Sequence, residues 1–241
     1  STSRGLGDVY KRQSYTRQRG AQQSRRAVLP EPTLRRLPWY LAYVSMLREQ
    51  GQEYVSSTAI ARTLNLDPSQ IAKDLSFLAI KGKTRIGYEV ANLEQALSNF
   101  LGFRQNHKAV IVGVGSLGAS LIADNGLQRY GLEIVAGFDT NPSIIGTEVA
   151  GVPVYDVREL AERREALGAG IGIVTVPVEC AQAVADSLVA AGVKALWNFT
   201  PFRIVPPEGI VIQNTSIYAP LAVMYNRMGA SSIAAGGGRQ E

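Results

Sequence analysis

Lys108-Ala109-Val110-Ile111-Val112-Gly113-Val114-Gly115-Ser116-Leu117-Gly118 is the stretch on which the fold turns. Ala109 to Val112 is a short, continuous apolar run rich in β-branched residues, the pattern of a parallel strand buried on both faces. Gly113, Gly115 and Gly118 follow at once. Their spacing permits a tight turn, brings backbone N–H groups against a pyrophosphate at a helix N-terminus, and lets that helix lie close on the sheet. A helix is expected from Leu117 to about Ile122. A second apolar run, Leu132 to Phe138, ends in Asp139 about twenty residues beyond the last glycine. An acid there accepts hydrogen bonds from a ribose 2′-hydroxyl and repels a 2′-phosphate, which points to NAD or NADH rather than the phosphorylated coenzyme. Gly113, Val114, Gly115, Ser116, Leu117 and Gly118 would form the cradle. The alternative is a glycine-rich strand-to-helix turn that binds nothing.

Downstream, strand and helix patterns keep alternating, as in a doubly wound parallel sheet. Thr140-Asn141-Pro142-Ser143 is a loop where a ribose or adenine edge could lie. Val152 to Val154 reads as a short strand, Val157 to Leu167 as a charged helix, and Ile171 to Val176 as a buried strand stopped by Pro177. Ligands of such sheets lie beyond the carboxyl ends of the strands, so Thr175, Val176 and Pro177 are expected at the cofactor. Asn198 and Phe199 end the next strand, Ala195 to Trp197, where an amide could orient a nicotinamide and a ring could pack on it. The alternative makes Phe199 core and Asn198 a turn residue. Val211 to Gln213 reads as a last strand, and Tyr218 to Met228 as a helix apolar on most faces, which calls for burial against another subunit. Ala230 to Glu241, rich in Gly and Ala, reads as frayed.

Upstream, the pattern from Pro30 to Gly102 is helical. Pro38 is expected to open a first helix with Leu41, Val44 and Leu47 on one stripe. Ser56 or Ser57 would cap a second, Thr58 to Leu64. Asp67-Pro68 is an N-cap followed by proline at the first helical position, and starts a third helix ending near Leu78. Ile71, Leu75 and Leu78 would face inward, and Ser69, Gln70, Lys73 and Ser76 outward. Two short helices with a tight turn form a helix-turn-helix whose second member enters a DNA major groove. Lys81 to Tyr88 could form a β-hairpin wing with Lys83 and Arg85 at phosphates or the minor groove. A small helical subdomain with a solvated turn is the competing reading. Asn92 would cap a closing helix, Leu93 to Leu101, that Gly102 stops, with Phe103 to His107 as linker.

Composition narrows the classes. The 241 residues are 46% hydrophobic and 19% charged, as in an ordinary soluble protein. No apolar run approaches the roughly 18 residues of a membrane span, and the start lacks a signal-peptide core, so no membrane association and a cytoplasmic location are expected. One cysteine, Cys180, excludes an internal disulfide framework. One histidine, His107, argues against a His-based metal site or general base, so no metal and no enzyme activity are expected. Seven basic residues precede residue 27 against Asp8 alone, so the remainder of this net +5 chain carries about −1. Residues 1–28 read as a disordered tail. Asp8 to Gln13 also reads as the translation of a transposon end, which would place the natural start further in.

Taken together, the chain resembles the bacterial redox-sensing transcriptional repressors of the Rex family. The resemblance spans about 37–228. It rests on Ser56-Ser57, Gln70-Ile71-Ala72-Lys73-Asp74-Leu75-Ser76, Gly87-Tyr88, the glycine turn, Thr175-Val176-Pro177, Asn198-Phe199 and Pro207-Glu208-Gly209. It implies a winged-helix domain at 29–105, a Rossmann domain at 106–215 and a helix at 216–229 exchanged between the subunits of a homodimer, with 230–241 a disordered tail. It further implies binding to double-stranded operator DNA that is lost when NADH replaces NAD⁺, and it adds Ser57 and Tyr88 to the DNA-facing residues. Ala72 stands where the family usually has an arginine, and Thr84-Arg85-Ile86 where it has a longer Gly-Arg-Gly run. An aromatic residue that many members carry has no counterpart near Asp124-Asn125. Competing classes are an NAD-dependent dehydrogenase, a CoA-ligase-like enzyme, or a nucleotide-sensing module without DNA. The single histidine and the lack of a substrate domain argue against an enzyme.

Overall fold

Strand β3 (His107–Val112) lies at the centre of a seven-stranded sheet because its side chains are apolar on both faces. Val110 and Val112 enter one core cluster with Phe138, Val174 and Leu188, while Ala109 and Ile111 enter another with Ile122, Ile134 and Ile173. The computed structural model describes residues 29–78 and 80–236. The basic stretch 1–28, expected to be disordered, and residues 237–241 lie outside the described residues. The chain divides between Leu97 and Ser98 into two compact units.

In the first unit, α1 (Glu31–Glu49), α2 (Ser57–Leu64) and α3 (Pro68–Ser76) precede a two-stranded antiparallel pair. The pair joins β1 (Tyr54–Val55) to β2 (Tyr88–Glu89), with Val55 opposite Tyr88. Helix α4 (Val90–Leu101) follows, and the division falls within its last two turns. Leu37, Tyr40, Leu41, Val44, Ile60, Ile71, Leu75, Leu93 and Leu97 are buried. Asn65 ends α2 in the left-handed region at φ 52°, a backbone state that asparagine tolerates. Two expected helix starts are corrected. Helix α1 begins at Glu31, and Pro38 lies inside it. A proline there removes one backbone bond, but buried Thr33 and Leu37 before it and Tyr40, Leu41 and Val44 after it hold the helix to the core. Helix α4 begins at Val90 directly from β2, so Asn92 is no cap. Its side chain donates to Glu89 Oε2 instead.

The second unit carries β3, α5 (Ser116–Ala123), α6 (Asn125–Arg129), β4 (Leu132–Asp139), β5 (Glu148–Val149) and β6 (Val152–Asp156). It continues through α7 (Leu160–Leu167), β7 (Ile171–Val174), α8 (Ala181–Ala190), β8 (Ala195–Asn198), β9 (Val211–Asn214) and α9 (Ala219–Gly236). The sheet order is β5-β6-β4-β3-β7-β8-β9, with β5 antiparallel to β6 and every other pair parallel. Without the short β5, this is the doubly wound order 3-2-1-4-5-6, whose direction reverses between β3 and β7. His107 opens β3 rather than lying in the linker. Helix α9 runs on to Gly236, past the expected end at Met228 and into the stretch expected to fray.

Candidate functional site

A cleft of about 390 Å³ opens at the carboxyl ends of β3 and β7, where the sheet order reverses. Its walls include Gly113, Gly115, Asp139, Thr140, Thr175, Val176 and Pro177, all expected at the site. Each glycine has its own reason. Gly113 sits at φ +95°, and a Cβ there would lie 2.7 Å from the Thr175 carbonyl oxygen. A Cβ on Gly118 would lie 2.1 Å from the Gly113 carbonyl oxygen, so this glycine sets the close packing of α5. A Cβ on Gly115 would meet nothing within 4 Å. That open side is where a ligand can approach the backbone. Gly115, Ser116 and Leu117 are exposed at the start of α5, where the first N–H groups have no partner within the helix and favour an anion. The Thr175 hydroxyl donates to the Gly113 carbonyl at 2.7 Å and ties the two strand ends together.

Other expected residues take up different duties. The Val114 N–H donates to Asp139 Oδ2 at 2.7 Å, and Asp139 Oδ1 accepts from Thr140 and Asn141 N–H at 2.8 Å each. Asp139 therefore frames the cleft as well as lining it. Asn198 is fully buried, with its Nδ2 donating to the Phe202 carbonyl and Asn214 Oδ1 and its Oδ1 accepting from Thr200 N–H. Its carboxamide is committed to the loop after β8, which corrects the expectation that it orients a ligand amide. Phe199 packs on Trp197, with ring centroids 4.6 Å apart, against the core cluster of Ala109 and Ile111. It is half-buried, packed on the edge of the core. Val157, Cys180 and Val184 also line the cleft. Sequence reading missed them because their place depends on the packing of the segments after β6 and β7.

The first unit supplies a second candidate surface. Asp67 caps α3 by accepting from Ser69 N–H at 2.7 Å and Gln70 N–H at 3.3 Å. These bonds, led by that from the Ser69 hydroxyl, hold its carboxyl below the ordinary range. Ser69, Lys73 and Ser76 are exposed, as expected, and Ser57 is half-buried at the start of α2. Gln70 is half-buried because its Nε2 donates to Asp74 Oδ1 at 2.9 Å. Asp74 is fully buried and was not singled out from sequence. Its oxygens also accept from Thr33, from Tyr40 at 2.7 Å and from both Nε and Nη2 of Arg36. Burial alone would push this carboxyl up, but the donors from Arg36, Tyr40, Gln70 and Thr33 outweigh it and hold it below its ordinary value. The same contacts hold the Arg36 guanidinium firmly protonated.

In the wing, Lys83 pairs with Gly87 across a turn whose tip residue, Arg85, is exposed at φ +67°. Lys83 donates to the Tyr54 hydroxyl at 2.6 Å and lies 4.7 Å from that ring's centroid. Tyr88 is half-buried at the foot of the wing. Gly87 is required there, since a Cβ would lie 2.3 Å from the Val55 carbonyl oxygen.

Comparison with known proteins matches this division. Residues 28–76 fit the family described as "Putative DNA-binding protein N-terminus", and residues 104–202 the "CoA binding domain". The redox-sensing transcriptional repressor Rex of Bacteroides fragilis is 55% identical over 205 residues, covering 85% of this chain and 93% of its own. The chain belongs to the Rex family of redox-sensing transcriptional repressors. The Rex protein of Porphyromonas gingivalis is 56% identical over 200 residues, covering 83% of this chain and 92% of its own. Among solved structures, a crystal structure of RSP in complex with β-NAD⁺ and operator DNA superposes with a TM-score of 0.81. Its identity is 28%, over 88% of this chain and 99% of that one. RSP, a Rex-family repressor, in complex with β-NADH superposes at 0.77 with 29% identity, over 86% and 97%. Rex proteins are repressors, which sets aside the dehydrogenase and CoA-ligase-like alternatives. The CoA-binding match describes the fold of the second unit. Among the described residues no helix is long and apolar enough to cross a membrane.

Proposed function

We propose that this protein is a cytoplasmic repressor that holds palindromic operator DNA as a homodimer and lets go when NADH occupies the cleft of its second unit. The observation that carries the reading is the pairing, in one chain, of a capped helix-turn-helix with an exposed Lys73 and a glycine cleft ending in Asp139. The proposed domains run 29–105 for the winged helix and 106–215 for the Rossmann fold, with the helix from 216 making the dimer. Gly115, Ser116 and Leu117 would hold the pyrophosphate, with Gly118 letting α5 lie close enough for them to do so, Asp139 and Thr140 the ribose, and Thr175, Val176 and Pro177 the nicotinamide side. Lys73 would reach base edges, and Ser69, Lys83 and Arg85 would fix register on phosphates.

NAD⁺ and NADH differ only in the nicotinamide ring. An apolar wall such as Val157, Val176, Pro177 and Val184 tolerates the neutral reduced ring, whereas the cationic ring loses hydration there. If NADH favours a dimer whose recognition helices are misplaced, DNA and NADH oppose one another reciprocally, by about 1–3 kcal/mol in a typical coupling. The test is operator binding at a fixed total coenzyme pool while the reduced fraction is varied. Release should track NADH, and binding that ignores the ratio removes the reading.

A further inference from the structure

Gln70 is the third residue of α3, in the first turn, which is the part of a recognition helix that meets base edges. Its carboxamide is not free to turn. Nε2 donates to Asp74 Oδ1 one helical turn further on, and Oε1 takes no donor among the described residues. The two ends cannot be exchanged, because an ionised carboxylate only accepts hydrogen bonds. Asp74 in turn has no freedom of its own: it is fully buried, gripped by both Nε and Nη2 of Arg36 and by the Tyr40 hydroxyl. Thr33, Arg36 and Tyr40 all belong to α1, so the clamp reaches Gln70 through a carboxylate anchored to a second helix.

Resting on the reading of α3 as the groove-entering helix, we infer that Asp74 is a positioning residue that presents Gln70 to the operator with its Oε1 outward. Gln70 then selects, at one position of each half-site, a base with an exocyclic amine in the major groove. That means adenine or cytosine. Guanine and thymine offer acceptors, O6 and O4, at the same height. An acceptor facing an acceptor leaves both unpaired, which disfavours those bases.

The experiment selects bound duplexes from a randomised library with purified full-length protein in NAD⁺, comparing the wild type with Gln70→Met and Asp74→Asn. The wild type should enrich a palindrome with adenine or cytosine at one position per half-site. Gln70→Met should lose that preference, by about tenfold, and keep the rest of the motif. Asp74→Asn can offer Gln70 either end of an amide, so the same position should relax toward guanine and thymine. An unchanged motif in Gln70→Met overturns the inference. So does an Asp74→Asn profile that weakens evenly at every position, which is what a merely structural role gives. Should Asp74→Asn fail to fold, Gln70→Met alone decides. A wild type that enriches no palindrome overturns the underlying reading of α3 instead.

Discussion

Asp139 Oδ2 accepts the Val114 backbone N–H at 2.7 Å, so the acid at the end of β4 is bonded to the glycine turn at the end of β3. One side chain thus shapes the turn and lines the cleft beside it. Asp139→Ala should act twice. Removing acceptors from three backbone N–H groups should lower stability by about 1–3 kcal/mol, and removing the negative charge should relax discrimination against NADPH. Thermal unfolding reads the first effect, and paired NADH and NADPH fluorescence titrations the second. If the NADH to NADPH preference is untouched, the acid is not at the ribose.

The glycines separate fold from ligand. Gly118→Ala drives a Cβ against the Gly113 carbonyl oxygen, while Gly115→Ala enters open space. Gly118→Ala should therefore lower both the melting temperature and NADH affinity. Gly115→Ala should keep the melting temperature within about 2 °C, as for a change under about 0.5 kcal/mol, and still lose NADH affinity by tenfold or more. Normal NADH binding by Gly115→Ala would move the pyrophosphate away from this turn.

The glycine turn and the Asp67-Pro68 helix start were legible because each is a local signal, complete within a few residues. Asp74 was not. Its partners Thr33, Arg36 and Tyr40 lie 34 to 41 residues away on α1, so nothing near it distinguishes a buried carboxylate from one on a solvated face. Asn198 and Phe199 were placed at the right strand end, and their bonds and packing favour the alternative of a turn residue and a core-packing ring. Which way they turn depends on the loop at Phe202 and on Asn214 of the neighbouring strand. Pro38 misled for the opposite reason: a strong local signal for a helix start was overridden by buried side chains on both sides of it, which carry the helix back to Glu31.

Acid should expose the Asp74 clamp. Its folded carboxyl titrates below the ordinary 3.8, so the unfolded chain takes up the proton first. The clamp's stabilisation is then present above that range and lost as pH falls through it. Tyr40 works in the other direction. Burial first, then its hydrogen bond to Asp74, raises its phenol above the ordinary 10.0, so its contribution is lost as pH climbs past that value. Breaking the buried pair by Asp74→Asn should cost about 3–5 kcal/mol. Below about pH 4 the wild-type melting temperature should fall more steeply than that of the variant. Parallel curves would show that the carboxylate is not what titrates.

Charge at the DNA face should be readable through salt. Lys73 and Arg85 are exposed, and Arg85 holds a left-handed backbone that asparagine also tolerates. Arg85→Asn should weaken binding alike on all duplexes and reduce the slope of log affinity against log salt by about 1. Lys73→Ala should weaken operator binding more than random DNA and leave NADH affinity unchanged. Equal losses on operator and random duplexes would make Lys73 a phosphate contact and not a base reader.

The last element makes the strongest demand for a partner. Along α9, Val223, Met224, Tyr225 and Met228 are 52%, 47%, 62% and 63% exposed. So much adjoining apolar surface on one helix marks an interaction face. A homodimer would cover it in both subunits at once, because a two-fold axis repeats whatever contact the helix of one subunit makes with its partner. Val223→Glu with Met228→Glu places two charges in that contact without touching the core of either unit. The variant should sediment as a folded monomer at concentrations where the wild type is a dimer. Its operator affinity should drop by at least a hundredfold, since a single half-site forfeits the second recognition helix. A double variant that still sediments as a dimer would place the subunit contact away from α9.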